Sequence, residues 1–325
     1  MSKPPAIIAI DLPAGLLEDL RRSVTPIVTG SDPAAIAEAL PRAEGILCSA
    51  LFPLPAETLD RAPRLRVISN FGVGYNNVDL EAATARGIAV CNTPGVLSGA
   101  VADLTMALIL AIARRLFANA AYVRAGGWSR REPPPPLGWD PAGKTLGIIG
   151  FGRIGQAVAL RAQAFGMEVV YHDLVNEPVE GLEDCRPVPL EELLELSDVV
   201  TLHVNLDPST HHLIGARELA LMKPTAWLIN TSRGQVVDQQ ALAAALRDGT
   251  IAGAALDVLD PEPPAPDEPL LAMENVIVLP HVGSATVETR AAMRDMAVRN
   301  LVAVLTGRTP PSCVNPSVLE RAASR

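Results

Sequence analysis

Short apolar runs rich in Val and Ile alternate along this chain with longer Ala- and Leu-rich stretches whose apolar positions recur at helical spacing. Runs of about four to eight apolar residues read as strands buried on both faces, and their alternation with helices predicts parallel sheets joined by helical crossovers. The runs at 7–10, 46–48, 65–69 and 88–91 form one group of expected strands. Those at 146–150, 168–171, 199–204, 226–230, 254–258 and 276–279 form a second. Six strands already complete a doubly wound unit, so the pattern predicts two sheets rather than one.

The stretch between the groups, 98–127, reads as one long helix opened by Ser98 and closed by Gly126 and Gly127. From Leu104 to Ala113 it is apolar around nearly its whole circumference, which requires burial on more than one side, in a domain core or at a subunit interface. The four prolines 133–136 cannot be helix or central strand and predict an extended surface loop. A further helix follows the last strand and ends before Gly307. It can return the chain to the first domain, making the second an insertion: 1–98 with 286–325, and 99–285.

At 325 residues the chain has the length for two domains, and its 49% hydrophobic content suffices for packed cores. The net charge of −9, from 27 basic and 36 acidic residues, leaves no electrostatic footprint for nucleic acid or an anionic membrane. Cys48, Cys91, Cys185 and Cys313 are far apart in sequence, with no C-x-x-C and no Cys/His cluster, and read as reduced thiols of a cytoplasmic protein with no metal site. The N-terminal apolar run is too short for a signal peptide. The longest apolar run is stopped by Arg114 and Arg115, short of the ~20 residues that span a membrane.

Chemistry enters with "LGIIGFGRIGQ". Gly150, Gly152 and Gly155 have G-x-G-x-x-G spacing, which alone marks only a tight turn. Here it follows a strand, opens a helix, and precedes Asp173 at the end of the next strand. That context is the dinucleotide fingerprint: one glycine for the turn, one for close approach of pyrophosphate, one for helix packing. Asp173 would accept hydrogen bonds from ribose hydroxyls and repel a 2′-phosphate. Leu174, Val175 and Asn176 offer no arginine for that phosphate, which favours NAD(H) over NADP(H).

Three further strand ends carry polar side chains: "LINTSRGQVVD" with Arg233, "AALDVLDPEPP" with Asp257 and Glu262, and "LPHVGSAT" with His281. Singly, they read as a surface ion pair, a turn residue before Pro263, and a loop histidine. Parallel strands, however, present their carboxyl ends on one edge, the one that carries the glycine loop. Beside a nicotinamide, His281 can protonate a carbonyl oxygen, Glu262 can hold the ring and favour its charged form, and Arg233 can bind a carboxylate. His203, His211 and His212 lack such company.

With these residues in view, the chain resembles the D-isomer-specific 2-hydroxyacid dehydrogenase family. The likeness lies in "NFGVGYNNVDL", "GIAVCNTPGVL", "VADLTMALILAIARR", "GKTLGIIGFGRIGQ", "INTSRGQVVD", "AALDVLDPEP" and "PHVGSATVETR". Within the family it is most similar to the glyoxylate/hydroxypyruvate and hydroxyphenylpyruvate reductases. The resemblance implies a Rossmann cofactor domain inserted into a flavodoxin-like substrate domain, and a catalytic set of Arg233, Glu262 and His281. It places the amides of Val73 and Gly74, with Arg233, on the substrate carboxylate, and Leu51, Phe52 and Ser284 near the substrate. Thr105, Phe151, Gly152, Arg153, Ile154, Val204, Thr231, Ser232 and Gly283 become cofactor neighbours, Asp173 a ribose ligand and Asp257 a carboxamide ligand. It also implies a homodimer with the long helix at its interface.

Departures from the family pattern are "HDLV", where NADPH-using reductases carry Arg or Ser-Arg, and Asn205 in place of a common proline. Ser129, Arg130 and Arg131 stand where one branch has an aromatic residue. The implied activity is NADH-dependent reduction of small 2-oxo acids, glyoxylate and hydroxypyruvate, to D-2-hydroxy acids. Bulkier aromatic 2-oxo acids are the alternative. Similarity to the C-terminal-binding corepressors offers a nucleotide-sensing interaction protein as another.

Overall fold

The computed structural model describes residues 3–175 and 179–323, and the chain divides into two units, Met1–Leu97 with Thr286–Arg325, and Ser98–Ala285. Asn176 lies outside the described residues. The first unit holds β1 (Pro5–Ile8), β2 (Thr25–Val28), β3 (Gly45–Ser49), β4 (Val67–Phe71) and β5 (Ala89–Cys91). They form a parallel sheet in the order β2-β1-β3-β4-β5, the flavodoxin-like order. Successive residues alternate between two cores: Ile7, Ile46, Ile68 and Val90 face one, Ile8, Leu47, Val67 and Cys91 the other. Burial on both faces is why these strands read as continuous apolar runs. The Val287–Leu305 helix is capped by the Thr286 hydroxyl, which accepts from the Thr289 N–H at 3.1 Å, and it covers β3, β4 and β5.

The second unit contains β6 (Thr145–Ile149), β7 (Glu168–His172), β8 (Arg186–Pro187), β9 (Val199–Leu202), β10 (Trp227–Asn230), β11 (Gly253–Leu256) and β12 (Val276–Val278). The sheet is parallel throughout, in the order β12-β11-β10-β9-β6-β7-β8. This is the doubly wound dinucleotide-binding order, extended by one strand. Val200, Leu228 and Ala254 face one core, and Val199, Ile229 and Ala255 the other.

Two strands escape the hydrophobic pattern. β2 contains Pro26 and is exposed at both ends, as an edge strand is free to be. β8 has only two residues, both exposed.

The stretch expected as one helix from Ser98 to Gly126 is three: Ser98–Ala113, Leu116–Arg124 and Gly127–Arg130, with Arg115 left-handed at φ 49°. The break has a tertiary cause. The Trp139 N–H donates to the Ala113 carbonyl at 2.8 Å and the Arg115 Nε to the Leu137 carbonyl at 3.2 Å, so the segment after the prolines caps the first helix. A Cβ on Gly138 would lie 2.0 Å from the Ala113 oxygen, so only glycine permits that approach.

The apolar character of Ser98–Ala113 is explained inside its own unit, where Met106, Ile109 and Ile112 pack with Val158, Ala159 and Ala162. The exposed apolar side chains belong instead to the next segment: Leu116, Phe117, Val123 and Trp128. No helix among the described residues is long and apolar enough to cross a membrane, and no group of three or more His, Cys, Asp or Glu among them could hold a metal ion.

Candidate active site

Because all strands of the second unit run parallel, the residues following β6, β7, β9, β10, β11 and β12 share one edge of the sheet. At β6 the chain turns through Gly150, with φ +92°, where a Cβ would meet the His203 carbonyl carbon at 2.7 Å. A Cβ on Gly155 would lie 2.1 Å from the Gly150 oxygen, which binds the helix tightly to the loop. A Cβ on Gly152 would meet nothing within 4 Å. The middle glycine thus faces open space at the start of the Arg153–Ala164 helix, whose N-cap provides no side-chain hydrogen bond. Orphan N–H groups, a positive helix end and bare backbone suit a pyrophosphate, and the site fits a dinucleotide.

Around this loop, the Phe151 ring is buried against Tyr171, with centroids 3.8 Å apart, and Ile154 packs into the core, so both act through their backbone. Arg153 is exposed. The Asp173 carboxylate accepts from the Phe151 N–H at 2.5 Å and the Val175 N–H at 3.2 Å. It ties the glycine loop to the end of β7, and an ionised carboxylate keeps lone pairs for a diol. Val204 lies against Gly150. The buried Thr105 hydroxyl is 3.3 Å from that of Thr231.

The chemical centre forms where the ends of β10, β11 and β12 meet. His281 Nδ1 lies 2.8 Å from Glu262 Oε2, and the imidazole remains 36% exposed, within reach of a ligand. The other oxygen of Glu262 accepts from the Leu259 N–H at 3.2 Å. Burial pulls the Arg233 guanidinium below its ordinary range, and the neighbouring Glu262 carboxylate pulls it back. Gly234 lets these loops meet: a Cβ there would lie 2.1 Å from the Leu259 carbonyl carbon. Gln235 Nε2 donates to Asp260 Oδ1 at 2.7 Å, and the Asp260 N–H to Gln239 Oε1 at 3.0 Å, closing the contact.

Three roles were not apparent from sequence. His281 adopts φ 54°, a left-handed conformation that costs a non-glycine residue on the order of 1–3 kcal/mol. Asp257 offsets it. Its carbonyl accepts from the His281 N–H at 2.9 Å, and its buried carboxylate from the Val282 and Gly283 N–H groups at 2.7 and 2.8 Å. These three bonds fix the backbone of the turn. Burial raises the Asp257 pKa while the two amides oppose it.

Asn230, likewise buried, accepts from the Ser232 N–H and hydroxyl at 3.0 and 2.8 Å and donates to the Arg233 carbonyl at 2.8 Å, shaping the turn that presents Arg233. His203 is the third: burial holds its ring down to about 3, so it stays neutral beside Thr201, 3.0 Å away. Expected site residues of the first unit lie in the loops after β3 and β4: Leu51 is exposed, Phe52, Val73 and Gly74 half-buried.

Residues 106–283 match the family model described as D-isomer specific 2-hydroxyacid dehydrogenase, NAD binding domain. The chain is 50% identical over 270 residues to a glyoxylate reductase of Korarchaeum cryptofilum, covering 82% of this chain and 81% of that protein. Among solved structures, it resembles the NADPH-dependent glyoxylate/hydroxypyruvate reductase of Sinorhizobium meliloti in complex with NADP and malonate. The TM-score is 0.86 at 39% identity, covering 96% of this chain and 97% of that one. It also resembles the D-lactate dehydrogenase of Aquifex aeolicus complexed with NAD and lactic acid, with TM-score 0.88 at 30% identity, covering 96% and 99%. Glycine loop, strand-end triad, both sheet orders and these likenesses agree, and the chain belongs to the D-isomer specific 2-hydroxyacid dehydrogenase family.

Proposed function

We propose that this protein reduces small 2-oxo acids of the glyoxylate and hydroxypyruvate class to D-2-hydroxy acids, with NADH as cofactor. The observation that carries the reading is the 2.8 Å pair of His281 and Glu262 beside Arg233, on the same sheet edge as the glycine loop. A bound dihydronicotinamide supplies the hydride to the carbonyl carbon. His281 delivers the proton to the carbonyl oxygen from Nε2, because Nδ1 is committed to Glu262. The Glu262 carboxylate, 2.8 Å from Nδ1, orients the ring. Arg233 takes the substrate carboxylate, a task suited to a planar two-pronged donor. The amides of Val73 and Gly74 are assigned to the same carboxylate.

The preference for NADH rests on Asp173, with no arginine among the three residues that follow it. Rates measured with NADH and NADPH against glyoxylate, hydroxypyruvate, pyruvate and phenylpyruvate are expected to be highest for NADH with one of the first two acids. Asp173→Ala should shift the NADH-to-NADPH ratio of kcat/KM towards NADPH by about tenfold or more, because it removes both the acceptor for the ribose hydroxyls and the charge that repels a 2′-phosphate. Faster NADPH turnover by the parent enzyme overturns the cofactor assignment. Phenylpyruvate as best substrate moves the reading to bulkier acids, and NADH binding without turnover to a nucleotide sensor.

The homodimer expected from the family is assigned to the segment 116–130, where Leu116, Phe117, Val123 and Trp128 are exposed in the protomer. Light scattering should give twice the chain mass, and Phe117→Glu with Trp128→Glu should return it to one. Cys48, Cys91, Cys185 and Cys313 are all free thiols, which fits a reducing compartment such as the cytoplasm.

A further inference from the structure

The loop after β4 in the first unit has a second layer whose purpose its hydrogen bonds disclose. Three consecutive carbonyls are each taken by a donor from within the unit. The Thr93 N–H donates to the Gly72 oxygen at 2.9 Å, Asn92 Nδ2 to the Val73 oxygen at 2.9 Å, and Asn70 Nδ2 to the Gly74 oxygen at 2.7 Å. In a planar trans peptide the N–H points opposite to the carbonyl of the preceding residue. Holding these carbonyls therefore turns the N–H groups of Val73, Gly74 and Tyr75 away from the donors. None of these three N–H groups has a hydrogen-bond acceptor among the described residues, although the loop is only half-buried. Successive backbone N–H groups with no internal acceptor can bind an anion where they converge.

Asn92 is itself locked. It is 8% exposed, and its Oδ1 accepts the Ser312 hydroxyl at 2.6 Å, which leaves its NH2 to face Val73. The Ser312 N–H in turn donates to Asn300 Oδ1 at 3.0 Å, and Asn300 Nδ2 to the Asn92 carbonyl at 2.8 Å. The orientation of one amide is thereby fixed from the C-terminal segment.

We propose that Asn92 is a positioning residue for the reaction: through the Val73 carbonyl it aims the Gly74 N–H at the carboxylate of the 2-oxo acid, with Asn70 doing the same for Tyr75. This rests on the functional reading above, which assigns the substrate carboxylate to this loop. Asn92→Asp replaces a donor by an acceptor facing the Val73 carbonyl while keeping shape and the bond from Ser312. Ser312→Ala leaves the asparagine but frees its orientation.

The experiment measures KM and kcat for glyoxylate, the inhibition constant of oxamate, which carries the carboxylate but cannot be reduced, and the Kd of NADH. For Asn92→Asp, KM and the oxamate constant should each rise about tenfold or more, while the Kd of NADH stays within about twofold. Ser312→Ala should show the same pattern at about two- to fivefold. A purely structural role would weaken NADH binding and thermal stability alike without this split, and would overturn the proposal. So would unchanged KM and oxamate binding in both variants, and if Asn92→Asp does not fold, Ser312→Ala decides alone. A parent enzyme that binds NADH but turns over no 2-oxo acid overturns the functional reading, and this proposal with it.

Discussion

Replacing His281 by alanine is expected to lower kcat for 2-oxo acid reduction by about 10²- to 10³-fold, with the Kd of NADH changed by less than about twofold. In the proposed reaction the carbonyl oxygen gains negative charge as hydride arrives, and His281 is the group assigned to supply the proton that neutralises it. Its neighbour at 2.8 Å is Glu262, which engages Nδ1 and leaves Nε2 for a ligand, and the side chain is part-exposed. Because the left-handed backbone at His281 is held by Asp257 through main-chain bonds, the side chain can be removed without releasing the turn. The loss should therefore fall on kcat. Glu262→Gln replaces the carboxylate that accepts from His281 at 2.8 Å by a neutral amide, so the rate of reduction should fall about tenfold. An alanine variant within threefold of the parent kcat would exclude His281 as the proton donor.

Replacing Arg233 by glutamine should cost about 10³-fold in kcat/KM, or roughly 4 kcal/mol of transition-state stabilisation. Burial makes this cation costly to hold, and the same low dielectric strengthens its attraction for a substrate carboxylate. Both KM and kcat should suffer if, as proposed, the guanidinium anchors the acid and stabilises the charge that develops at the carbonyl. Arg233→Lys should recover only part of the loss, since one ammonium cannot match a planar fork against a carboxylate. Steady-state kinetics with glyoxylate decide the point; a glutamine variant with unchanged KM would remove the carboxylate from Arg233.

Local pattern determined much about this protein. Strands buried on both faces betray themselves as apolar runs, and ten of them are legible within a few residues. The glycine loop between a strand and a helix, with an acid at the next strand end, needs only spacing. Arg233, Glu262 and His281 stand out as candidates because parallel strands deliver their carboxyl ends to one edge, whatever the order of the strands.

Tertiary structure decided the rest, where the cause is non-local. β2 and β8 form because a neighbouring strand pairs with them, and their sparse burial leaves no hydrophobic trace. The long helix ends at Ala113 because Trp139 caps it, and no breaker in 98–113 announces that. Which histidine meets the glutamate depends on β11 and β12 being adjacent. Asn230 and Asn92 are ordinary polar residues, and Asp257 only an expected cofactor neighbour, until the fold buries them. Once water is excluded, each must bond to backbone, and it is that requirement, invisible along the chain, that sets the angle at which His281, Arg233 and the Gly74 amide are presented.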